Sequence, residues 1–142
     1  MSQVVEHLAE LTGFRDRDLL DVTLVSAFGD LLRPTCVAIY RAVGEAGGQH
    51  WLTRARLQLG DSAPTADPLW SELEDLPRVA SHPWRQRCLE LRLPLTAADH
   101  DPVLSLFPLL TDREVVGVLE VQTPQALSDE QMRLVTSVLR VY

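Results

Sequence analysis

Two cysteines, four histidines and a group of aromatic and arginine side chains are the residues of this sequence with chemistry to offer. Cys36 and Cys88 stand far apart, with no CxxC spacing and no paired histidines, a pattern that reads as free thiols rather than a disulfide or a metal site. Thiol chemistry needs an accessible thiolate held by positive neighbours. Cys88, behind Arg85 and Arg87, is the one candidate, because Cys36 falls in a run that reads as a buried strand. Free cysteine commonly behaves as a small hydrophobe, and that is the reading favoured for Cys88. His7, His50, His82 and His100 lack the spacing of metal ligands, and Asp99-His100-Asp101 reads as a turn. No catalytic or metal-binding set emerges. What remains is a binding set: Trp70 and Trp84, with Arg87 and Cys88 nearby, and Tyr40, Ser105 and Phe107 on strands that could face them. Apolar walls with a few orienting polar groups suit a small ligand, so these seven residues are the expected pocket, with core packing the competing reading for the two tryptophans.

The elements that must position them follow from apolar spacing. Val4, Val5, Leu8 and Leu11 predict a short amphipathic helix over residues 3–12, stopped by Gly13. A longer helix follows, capped by Asp16 or Asp18 and ended by Pro34; its apolar residues from Leu19 to Leu32 cover more than one face, which predicts packing on two sides. Thr35 to Val43 is apolar on both faces and predicts a central strand. After a turn at Gly44 to Gly48, Trp51, Thr53, Ala55 and Leu57 alternate with Leu52, Arg54 and Arg56, which predicts an edge strand with one wet face. Six prolines between Gly60 and Pro102 break the middle into loops and short pieces, with a helix at Trp84 to Leu91 and a brief strand at Leu93 to Thr96. Val103 to Leu110 and Val115 to Gln122 predict a hairpin of two buried strands. Pro108 should mark a bulge or an unpaired position there, and Gly117 a close approach of neighbouring backbone. Ser128, with Glu130 and Gln131 behind it, opens a last helix that runs apolar to Val141. That helix meets no stop signal, so a longer natural chain is expected.

Together these make one α+β domain over residues 1–142, an antiparallel sheet with helices outside it. Acidic residues outnumber basic ones by 20 to 13 and no basic stripe forms, which argues against a nucleic-acid partner. Neither a secretory signal nor an apolar run of membrane-spanning length is present, so a cytoplasmic domain with no membrane link of its own is expected.

From Val103 to Val141 the sequence resembles the C-terminal half of a GAF domain. The pattern is Leu106-Phe107-Pro108-Leu109-Leu110, a polar turn, Val115-Val116-Gly117-Val118-Leu119, then Leu127-Ser128-Asp129-Glu130 opening a helix. The upstream helix and strands occupy the family's places, so the resemblance covers nearly the whole chain. It implies a GAF/PAS-like sheet of order 2-1-5-4-3, with the N- and C-terminal helices on one face and the irregular middle forming a pocket over the other. It implies further a bacterial signal-input module without catalysis of its own, binding an unidentified small molecule, pairing as a homodimer through the first and last helices, and linked to an output domain of the GGDEF diguanylate cyclase type that makes cyclic di-GMP. No cofactor is named by the sequence. Pigment attachment is not expected, because Leu89 follows Cys88 where bilin-binding members carry histidine. Of the cyclic-nucleotide pattern only Asp129 and Glu130 are in register. Two alternatives stand beside the sensor: a dimerisation scaffold whose pocket is filled by its own side chains, and an enzyme resembling the GAF-like reductase of free methionine sulfoxide.

Overall fold

The computed structural model describes residues 14–111 and 114–141; the predicted helix over 3–12 lies outside them. Helix α1 spans Phe14–Leu32, and since it is already under way at Phe14, neither Asp16 nor Asp18 caps it. It stops where Arg33 turns into the left-handed region (φ 47) and bonds the Gly29 carbonyl, with Pro34 next. Strands β1 (Cys36–Val43) and β2 (His50–Gln58) form one hairpin, and β4 (Val103–Thr111) and β5 (Glu114–Thr123) another. Between them lie two 3-10 turns, helix α2 (Pro83–Leu91) and the three-residue β3 (Leu95–Ala97). Helix α3 (Asp129–Leu139) closes the domain behind a complete capping box, in which Ser128 and Gln131 each accept the other's backbone N–H. Such a cap is worth about 1 kcal/mol.

The five strands pair antiparallel in the order β2-β1-β5-β4-β3, the order the resemblance implies. Each face carries its own core. Val37, Ile39, Phe107, Leu109, Leu119 and Val121 meet Val25 and Phe28 of α1 and Val135 of α3 on one face. On the other, Tyr40, Trp51, Leu104, Leu106 and Val118 lie beneath Cys88 of α2. The helices are therefore divided as expected, two on one face and the short one on the other. Among the described residues, Val25 and Phe28 are the core side of α1, and Leu19 and Leu31 are exposed.

β2 departs from the alternation read in its sequence. A register shift between Ile39 and Tyr40 leaves Ile39 opposite Ala55 but Tyr40 opposite Thr53, so Arg54 is the extra residue of a bulge. Trp51 consequently joins the α2-side core, whereas Ala55 joins the α1-side core. Arg54, expected on a wet face, is buried and meets the equally buried Asp21 of α1 at 3.2 Å. The strand is an edge, yet it is covered. Arg56 exchanges backbone bonds with Thr65, Asp67 bonds Thr53 through both backbone and carboxylate, and the Trp51 N–H donates to the Pro77 carbonyl. The proline-broken middle thus acts as an irregular sixth strand that shields the edge from stray pairing.

At the other edge β3 reaches only to Leu106, so Pro108 sits where β4 has lost its outer neighbour, and the register slips just after it, between Leu109 and Leu110.

Candidate functional site

The β1–β2 turn and the start of β5 stand at one end of the sheet, and α2 passes beside them with the segment from Arg78 to Ala80. An open groove of about 820 Å³ lies between these parts. Val79, Ala80, Leu89 and Val115 give it apolar surface; Gln49, His50, Arg78, Gln86, Glu90, Arg92 and Glu114 give it polar groups. α2 supplies Gln86, Leu89 and Glu90 at spacings of three and four, one stripe of a helix. Arg92 follows as its left-handed cap (φ 59), its N–H bonded to the Cys88 carbonyl. His50 opens β2 and is tied by a β-bridge to Arg78; its Nδ1 is enclosed and has no hydrogen-bond partner among the described residues.

The inner side of α2 is a different environment. Arg85 is buried there and grips Glu120 of β5 through two bonds, Nε to Oε1 at 3.0 Å and Nη2 to Oε2 at 3.3 Å. Its guanidinium lies over the Tyr40 ring, 3.6 Å from the centroid, with Trp51 at 5.9 Å. Gln122 donates to the same carboxylate. The space between α2 and the sheet is therefore filled by an internal salt bridge stacked on aromatic rings. Burial raises the Tyr40 hydroxyl pKa, and the Arg85 charge opposes that shift.

The seven expected pocket residues do not converge. Tyr40 and Cys88 lie in the filled interior beneath α2. Trp84 and Arg87 are on the outward side of α2, because Arg85 and Cys88 claim the inward stripe one residue on from each of theirs. Trp70 is 84% exposed in the loop before the first 3-10 turn. Ser105 and Phe107 are buried on the opposite face of the sheet: Phe107 packs in the α1 and α3 core, and Ser105 stands opposite Val121 of that same core. Strand parity decides this, since Leu104 and Leu106 take the α2 side and leave 105 and 107 to the other. None of the seven lines the groove. His50, Arg78, Glu90 and Arg92, which do, carry no sequence signal beyond their neighbouring turn and helix-end residues.

Neither cysteine is poised for thiol chemistry. Burial pushes the Cys88 thiol up to about 12, and its Sγ–H donates to the Leu93 carbonyl. Burial also raises Cys36, an effect that the nearby Arg56 only partly offsets. No group of three or more metal-ligating side chains occurs among the described residues.

No family model matches the chain, and no curated protein does. A solved structure, the GAF domain from an Acinetobacter phosphoenolpyruvate-protein phosphotransferase, superposes on it with a TM-score of 0.54. The match covers 87% of this chain and 84% of that one at 15% identity. The fold is GAF-like. Within this GAF-like fold α2 holds both environments together, the groove on one flank and the salt bridge on the other. No described helix is long and apolar enough to cross a membrane.

His82, the residue that caps α2, gives the region a pH dependence. Burial and then the Arg85 charge hold its pKa below the ordinary 6.5. The folded state therefore resists protonation while the unfolded chain takes the proton as pH falls through about 6.5, so this residue costs stability on the acid side and nothing above. Urea midpoints at pH 7.5, 6.5 and 5.5 are expected to fall less in His82→Gln than in the unsubstituted protein. Equal acid slopes in the two would remove His82 from this role.

Proposed function

We propose that this domain is a regulatory sensor that binds a small molecule in the groove beside α2. One observation carries the reading: a groove of about 820 Å³, within the range of small-molecule sites, is lined by the same helix that Arg85 ties to β5. Ligand contact with Gln86, Leu89 or Glu90 presses on an element joined directly to a central strand, and β5 leads straight into α3. Coupling requires only that the ligand bind one of two α2 positions better than the other.

The GAF resemblance extends the proposal to the output, a covalently linked diguanylate cyclase whose formation of cyclic di-GMP the groove controls in a bacterial cytoplasm. It also extends it to a homodimer through the first and last helices; Leu134 of α3 is an exposed apolar residue such pairing would cover.

The filled interior beneath α2 favours a second reading, a scaffold with no ligand. Thermal-shift measurements against nucleotides, amino acids, short peptides and small metabolites separate the two. A true ligand at a hundredfold excess over its Kd adds about 2.7 kcal/mol and raises Tm. Hydrogen exchange should slow together at Arg78 to Ala80 and along α2. Silence across the whole panel would leave the scaffold.

A further inference from the structure

The charges around the groove are balanced and unspent. Arg78 and Arg92 are positive, Glu90 and Glu114 negative, and none of the four forms an ion pair among the described residues. The lining is thus neutral in formal charge, on a chain whose formal net charge is -7. All four residues are exposed, while the half-buried Val79, Leu89 and Val115 give the same groove apolar surface. His50 adds an enclosed imidazole nitrogen without a hydrogen-bond partner among the described residues.

Each class of ligand meets this lining differently. A polyphosphate would be drawn to the arginines and repelled by Glu90 and Glu114, like charges being costly at close range. A neutral apolar molecule would use only the apolar surface and leave the four hydrated charges without a role. A ligand with one positive and one negative end satisfies both pairs, and its charge-assisted hydrogen bonds are the stronger kind. We infer that the groove takes a small zwitterion with an ammonium and a carboxylate group, a free α-amino acid or a peptide of two or three residues. The carboxylate goes to Arg78 and Arg92, the ammonium to Glu90 and Glu114, and the side chain to the apolar surface. This inference rests on the groove being the ligand site.

Calorimetric titration tests it with the twenty L-amino acids and a set of dipeptides and tripeptides, each beside its N-acetyl and C-amide derivative. Nucleotides and neutral metabolites are run in parallel. The four variants are Arg78→Gln, Arg92→Asn, Glu90→Gln and Glu114→Gln; asparagine is chosen at 92 because it tolerates the left-handed backbone there. All four positions are exposed, and the Tm of each free variant checks folding directly. Capping either end of a binding zwitterion should weaken it by roughly tenfold or more, the scale of a lost hydrogen bond to a charged group. The two losses should also cross: the N-acetyl form becomes indifferent to the glutamate substitutions, and the C-amide form indifferent to the arginine ones. Whether the free amino acids or the peptides bind tighter decides the length of the ligand. Capped and uncapped forms binding alike, or nucleotides binding where zwitterions do not, overturns the inference while keeping the groove. Silence from every probe removes the groove itself.

Discussion

Gly117→Ala should lower stability by about 3 kcal/mol, the upper end of overpacking costs, and Tm by roughly 10 °C. Gly117 lies in β5 between β1 and β4, opposite Arg41 on one side and Leu109 on the other. An added Cβ would collide with the Tyr40 carbonyl oxygen and lie 3.1 Å from the Arg41 Cα. Both obstacles are backbone, held by the ladders of two neighbouring strands, so no side chain can swing away to make room. β1 must move, and Tyr40 moves with it, out from under Arg85. Gly117→Val should leave little folded protein. The control is Gly48→Ala, where the nearest atom to a new Cβ is the Glu45 carbonyl oxygen at 3.9 Å and the urea midpoint should hardly change. Equal midpoints for Gly117→Ala and the unsubstituted domain would mean that β1 and β5 are not packed this closely.

That contact shows how far a sequence can speak. A lone glycine in the apolar run of Val115 to Gln122 has few reasons to be there, and close approach of a strand is the main one. The strands and the hairpins were legible for the same reason: apolar periodicity is a one-dimensional record of which faces are buried, whereas strand order and the division of helices came from the GAF resemblance. The bulge at Arg54 was not legible, because its cause is the pairing with β1. Once it is present, every face assignment downstream of it reverses. Ser105 and Phe107 were misplaced on a simpler point, that a strand apolar on both faces gives no sign of which face looks at which helix. The groove was still less visible. Its charged residues come from a loop, a helix end and a strand start, and nothing in their sequence neighbourhoods says that these meet. Arg85 and Arg87 illustrate the limit most sharply, since two positions of identical type differ only in helical phase, one buried and one exposed.

Arg85→Ala should destabilise the domain by about 3 to 5 kcal/mol, because it leaves the Glu120 carboxylate buried in mid-sheet with only Gln122 to receive it. The loss has two parts. One is the bidentate bond from α2 to β5; the other is the guanidinium lying flat on Tyr40. Arg85→Lys keeps the charge but can neither form the fork nor stack as a plane, so it should recover only a small share. Glu120→Ala should cost a similar amount from the other side. The double substitution Arg85→Met with Glu120→Leu removes both charges and restores apolar volume, and it should be more stable than Arg85→Ala or Glu120→Ala alone. Urea titration of the four proteins gives these differences directly. The single substitutions Arg85→Met and Glu120→Leu close the cycle, and additive costs in it would show that the two residues are not coupled across the α2–β5 contact. The same set separates stability from signalling. If α2 transmits ligand binding through this bridge, binding to the unsubstituted domain should also slow exchange at α3, and the apolar pair should fold and still bind in the groove yet lose that distant slowing. Retention of that distant effect would place the coupling elsewhere, in the strand connections rather than in the salt bridge.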